Sequence, residues 1–151
     1  MENIEPQNEY FRLKSDILPV NAEALKVLSD TSSYTITEHI RRASALYQLS
    51  MNVYTEGGNV HSISRNGAEI LPLFVLSTKD KDDGNRVALS VNLNAETAKF
   101  LQSLGVETVS ANTTVLDNII NHYYHATQRS KNGEKIIVES SQGEKNELVF
   151  L

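Results

Sequence analysis

His122 and His125 stand three residues apart in a stretch that reads as helical, a spacing that can turn two imidazoles toward one metal ion. The chain has no cysteine, and no acidic third ligand suggests itself beside them, so solvated or interface histidines are expected, with no metal and no cofactor. His39 and His61 look incidental. Arg41-Arg42 follows a helix start, where a guanidinium could touch a phosphate; Glu38 just upstream is an equally good local ion-pair partner. Gly57-Gly58 and Gly133 read as turn glycines without a phosphate-loop pattern around them. Tyr47, Tyr123 and Tyr124 read as packing side chains. No nucleophile–base spacing, paired-carboxylate motif or dinucleotide fingerprint occurs, and no enzyme is expected.

The elements that must carry these residues are bounded by composition. The chain of 151 residues fits one compact domain or two very small ones, and 40% hydrophobic content is enough for a core. The absence of cysteine excludes a disulfide framework, a thiolate metal site and a cysteine nucleophile. No apolar run approaches the roughly 18 residues of a membrane span, and "MENIEPQNEYF" lacks the basic-then-apolar layout of a signal peptide, so a cytoplasmic protein is expected. The net charge is −5. It is evenly spread, six cationic against nine acidic side chains in residues 1–76 and eight against ten in residues 77–151. Neither half carries the strong basic footprint of a tight nucleic-acid binder.

The chain repeats itself. "NAEALKVLS" from Asn21 returns as "NAETAKFLQ" from Asn94, an offset of 73. Further along, Tyr47 and Tyr123, Gly57 and Gly133, Gly67 and Gly143, and Phe74 and Phe150 match at an offset of 76, as if the second copy held three extra loop residues. The period is too long for a solenoid and points to two units facing each other. Each unit begins with an extended stretch, "KSDILPV" or "RVALSVNL". The second alternates, with Val87, Leu89, Val91 and Leu93 on one side and Arg86, Ala88, Ser90 and Asn92 on the other.

A helix capped by Asn21 or Asn94 follows, with Ala24, Val27 and Leu28, or Ala98, Leu101 and Leu104, as its apolar face. A second helix in copy one opens at Thr35, whose spacing to Glu38 fits a capping box, and buries Ile36, Ile40, Ala43 and Tyr47. In copy two Leu116, Ile119, Ile120 and Tyr123 repeat that face behind a cap at Ser110 or Asn112. Each copy closes with a β-hairpin, "NVHSISRNGAEILPLFV" or "EKIIVESSQGEKNELVFL". The expected layout is a flexible N-terminal arm over 1–13, one unit over 14–76, a charged linker over 77–85 ("STKDKDDGN") and a second unit over 86–151.

Strand, helix, turn and helix, with "TITEHIRRASALY" opening the second helix, resembles the ribbon-helix-helix family to which the Arc and MetJ repressors belong. The resemblance covers about 40 residues of each copy, from Asn21 to Tyr47 most clearly and from Arg86 to Tyr123 less so; the hairpins lie outside it. It implies an α+β fold in which two strand-helix-helix units form an internal ribbon-helix-helix pseudo-dimer, each followed by a β-hairpin. It also implies a monomeric chain, since each copy supplies the partner that family members find in a second subunit.

In that family the paired strands enter the major groove of double-stranded DNA, and the N-terminus of the second helix meets a phosphate. Carried onto this sequence, the resemblance implies a transcriptional regulator. Arg86, Ser90 and Asn92 of copy two would face base edges, joined by Ser15 of copy one, with Thr35, Thr37 and Arg41 at the phosphate. At the offset of 73 the remaining outward positions of copy one are Leu13, Ile17 and Pro19, which have no hydrogen-bonding side chain. Binding is therefore expected to be weak and asymmetric. The alternative is a degenerate ribbon-helix-helix module that no longer binds DNA and offers Leu13, Ile17 and Pro19 to a protein partner.

Overall fold

The computed structural model describes residues 11–73, 86–104 and 113–150. The expected linker, most of the expected N-terminal arm, Phe74 and the Ser110 or Asn112 cap lie outside them. The described chain is α+β, with four helices and two antiparallel sheets, in the order β1 (Phe11–Ile17), α1 (Pro19–Asp30), α2 (Ile36–Thr55), β2 (Asn59–Ser64), β3 (Gly67–Ile70), β4 (Val87–Leu93), α3 (Ala95–Ser103), α4 (Thr113–Lys131), β5 (Lys135–Glu139) and β6 (Lys145–Leu148). Among the described residues no helix is long and apolar enough to cross a membrane.

β1 and β4 form a two-stranded ribbon from Phe11↔Leu93 to Ile17↔Val87. The two hairpins are expected from their glycines and alternation, but they also join edge to edge. β2 pairs with β5, giving one four-stranded sheet in the order β3-β2-β5-β6. This union buries much of the two central strands and leaves the solvent-exposed β3 and β6 at the edges, where Glu69, Lys145 and Glu147 discourage further strand addition. The central cross-strand pairs are Lys14↔Ser90 in the ribbon and His61↔Ile137 in the larger sheet. Both pairs join residues separated by 76 positions.

That single offset corrects the one read from "NAE". The first helix begins at Pro19, which suits the first helical turn because its missing N–H has no bond to lose there. Asn21 lies inside that turn and is buried, whereas Asn94 is a true cap whose side chain accepts from Thr97 N at 2.8 Å. The same tripeptide thus occupies two different helical positions, almost one turn apart. At 76, buried Asn21, Leu25 and Tyr47 correspond to buried Thr97, Leu101 and Tyr123, and no insertion is needed.

The first strand moves with it. "FRLKSDI" alternates better than "KSDILPV", and β1 starts at Phe11, three residues before the expected unit boundary. Leu13 and Ile17 are at most 1% exposed and join the core with Leu25, Leu28, Ile40, Val91, Leu93, Leu101 and the α4 residues Leu116, Ile119 and Ile120. The expected outward face of copy one is therefore its inward face. Helices α2 and α4 pack on each other, α2 touching β4 and β2, and α4 touching β1 and β5. In the hairpins Val60 and Ile136 are buried as expected, while Ile63 is exposed.

Candidate functional site

The ribbon turns one face to the core and the other to solvent, as the period of two requires. Its outward residues are Arg12, Lys14 and Asp16 from β1 and Ala88, Ser90 and Asn92 from β4. They meet as Arg12↔Asn92, Lys14↔Ser90 and Asp16↔Ala88. The Arg12 guanidinium leans along this face and donates from Nη1 to Ser90 Oγ at 2.8 Å. That contact orders the long side chain and leaves its other N–H groups for a further acceptor. Two cations and one carboxylate give the face a net positive charge on an acidic protein.

Of the residues singled out from sequence, Ser90 and Asn92 lie on this face and Arg86 does not join it. Arg86 sits just before β4 and donates from Nη1 to the Asp16 carbonyl oxygen at 3.2 Å and to Asp117 Oδ2 at 3.0 Å. Ser15 faces inward beneath the ribbon, buried beside Leu13 and Ile17. Pro19 is exposed at the start of α1 and stands apart from those two core residues, so Leu13, Ile17 and Pro19 form no common surface patch.

Asp117 organises the base of the ribbon. The cap position of α1 is Leu18, which has no side-chain oxygen to receive an orphan N–H. Asp117 of α4 takes that role from the other copy: Oδ1 accepts from Leu18 N at 3.0 Å and from Asn21 Nδ2 at 2.7 Å. With Arg86 on Oδ2, a buried carboxylate is surrounded by three donors and holds together the end of β1, the start of α1 and the start of β4.

At the start of α2, Thr35 Oγ1 accepts from Glu38 N at 3.1 Å, half of the expected capping box. The Glu38 carboxylate is engaged by its own helix: Arg41 donates from Nε at 3.0 Å and Arg42 from Nε at 3.2 Å. The hydrogen bond from Arg41 holds the Glu38 carboxyl below the usual carboxylate range, and the same pairing raises Arg41. Arg42 also lies over the Tyr34 ring, 3.7 Å from its centroid. Thr37 is half-buried in the first turn, and exposed Arg41 lines a cleft with Asn94 and Thr97.

The histidines are structural in this arrangement. His122 is buried, donating from Nδ1 to the Pro72 carbonyl at 2.8 Å, with Nε2 2.9 Å from Ser50 Oγ. His39 is likewise buried, with Nδ1 2.9 Å from Tyr123 Oη and Nε2 3.0 Å from Ser32 Oγ. Burial pushes both imidazoles toward the neutral form. His125 is exposed, away from the inward aim of His122.

Sequence reasoning missed Arg12, Lys14, Asp16 and Asp117. The alternation of Phe11, Leu13 and Ile17 with Arg12, Lys14 and Asp16, followed by a proline fit for a helix start, is the signal that finds the first three. Asp117 carries no local signal, because its partners are a distant backbone N–H and two distant side chains. Comparison with known protein families, characterised proteins and solved structures gives no match to this chain.

Proposed function

We propose that this chain is a single-chain ribbon-helix-helix DNA-binding protein, a transcriptional regulator whose two strand-helix-helix units form an internal pseudo-dimer. The observation that carries the proposal is the outward face of the β1–β4 ribbon, where Arg12, Lys14, Ser90 and Asn92 project together. A two-stranded ribbon fits the width of the major groove, and arginine and asparagine side chains match the paired acceptors of guanine and the donor–acceptor edge of adenine. The shared 76-residue spacing of both central pairs is what an internal twofold would impose. The first turn of α2, with Thr35 and Thr37, offers backbone N–H groups to a flanking phosphate.

The degenerate, protein-binding alternative is left with the acidic net charge as its support, since Leu13 and Ile17 lie in the core. Binding of the full chain to random-sequence duplex DNA, titrated with salt, separates the two. Two ribbon cations predict a log–log salt slope of about −2, from roughly 0.9 per phosphate neutralised. No retention of duplex at low salt would favour the protein-partner reading.

A further inference from the structure

The two ends of the ribbon are not equivalent. At the spacing of 76, Arg12 corresponds to Ala88, and Asn92 to Asp16. One end of the outward face thus pairs arginine with asparagine, and the other pairs aspartate with alanine. The flanking helices differ as well. Arg41 of α2, paired with Glu38, lines a cleft with Asn94, Glu96 and Thr97, where the chain leaves the Arg12–Asn92 end. Its counterpart Asp117 lies against Leu18 and Asn21, where the chain leaves the Asp16–Ala88 end. Arg86 reaches that second end, but its guanidinium is spent on Asp117 and on the Asp16 carbonyl.

We infer that this protein recognises a non-palindromic DNA site, reading one half through Arg12 and Asn92 and tolerating or selecting only an amine donor in the other. The inference rests on the DNA-binding reading above. A subunit pair made of identical chains presents identical ends and selects a palindrome; a duplicated chain is released from that restriction, because each copy changes alone. At the first end, guanidinium and carboxamide offer bidentate contacts to guanine and adenine. At the second, Ala88 offers no hydrogen bond, and the Asp16 carboxylate accepts from the cytosine amine while repelling phosphate and the acceptor edge of guanine. Lys14 and Ser90 span the centre, where they fix position on the duplex more than sequence.

The test compares the unaltered chain with a symmetrised one, Asp16→Asn with Ala88→Arg. Both positions are exposed, and a matched denaturation midpoint verifies that the fold is kept. Each protein is used to select from a pool of random-sequence duplexes at low salt. The unaltered chain should enrich a non-palindromic sequence whose strongly selected base pairs lie in one half, with at most a cytosine preference facing Asp16 in the other. The symmetrised chain should enrich a palindrome of that half and bind it about tenfold or more tightly than the unaltered chain does. A palindrome selected by the unaltered chain, retention without enrichment, or indistinguishable selections by the two proteins would overturn the inference and leave DNA binding standing. Failure to retain any duplex would overturn DNA binding itself.

Discussion

The Asp117 carboxylate of α4 receives the Leu18 backbone N–H at 3.0 Å, capping a helix that begins 98 positions earlier in the chain and has no side chain of its own to do so. A local defect in one copy is thereby repaired by the other. The repair ties ribbon geometry to the packing of α1 on α4, since the same carboxylate also anchors Asn21 and Arg86.

Replacing Asp117 by alanine should therefore cost more than losing an ordinary helix cap. The Leu18 N–H would be stranded in a largely buried place, the Asn21 amide would keep only its 3.3 Å contact to the Asp117 carbonyl oxygen, and Arg86 would lose its carboxylate. A loss of about 2–4 kcal/mol in denaturant unfolding is expected. Arg86→Ala should cost less, because the guanidinium is partly exposed and its removal leaves Asp117 with two donors. Equal losses would mean that the ion pair, and not the cap, is what matters.

Gly58 is a second place where the two copies meet closely. A Cβ there would fall 2.2 Å from the Glu139 carbonyl oxygen and 2.9 Å from Val53 Cγ1, against backbone that cannot yield cheaply. Gly58→Ala should destabilise by about 1–3 kcal/mol through overpacking and should speed hydrogen exchange of the β5 amides. At Gly67 nothing lies within 4 Å of such a Cβ, although φ is +113°. Gly67→Ala should strain its own turn and leave β5 exchange unchanged. If both substitutions speed β5 exchange alike, the close approach at Gly58 is not what joins the halves.

The sequence makes the helices legible because their apolar residues recur on one face and their caps are local: Thr35 and Asn94 cap as read, and Leu116, Ile119, Ile120 and Tyr123 are buried together. β1 is where local reasoning slipped. "NAE" supplied a register from a tripeptide, but the burial of Leu13 and Ile17 depends on which face of the ribbon meets α4, a tertiary choice that a one-residue slip reverses. The consequence for the site was large, exchanging a polar face for an apolar one. The joining of the hairpins through β2 and β5 was illegible for a related reason, since each hairpin pattern is satisfied without stating what lies beside it.

Buried His39 and His122 make stability depend on pH near neutrality. Both have folded pKa values lowered from 6.5, chiefly by burial, so between those lowered values and about 6.5 the unfolded chain binds more protons than the folded one. Stability should therefore fall as pH drops from 7.5 to 5.5, with a limiting slope of about 1.4 kcal/mol per pH unit for each proton of difference. Glu38, whose folded pKa is lowered from 4.5, acts in the same direction only in more acid solution. His122→Gln should lower stability at pH 7.5 and flatten its pH dependence above pH 5.5. A slope unchanged by that substitution would remove His122 as a contributor.

On DNA, the corrected register shifts the expected contacts from Arg86 to Arg12. Arg12 lies outward on the ribbon and is ordered by Ser90, whereas Arg86 is held at the ribbon base by Asp117 and the Asp16 carbonyl. Arg12→Ala and Asn92→Ala should each weaken binding to the selected duplex by about 1–3 kcal/mol and relax preference at one base pair, since each removes a side chain able to make bidentate base contacts. Lys14→Ala should weaken binding to all duplexes alike and make the salt slope shallower by about 0.9, the mark of a lost phosphate contact. Arg86→Ala should act mainly through stability, leaving base preference intact once the folded fraction is corrected for. The set is read by competition binding against single-base variants of the selected duplex. If Arg86→Ala relaxes base preference and Arg12→Ala does not, the outward face of this ribbon is not the reading surface.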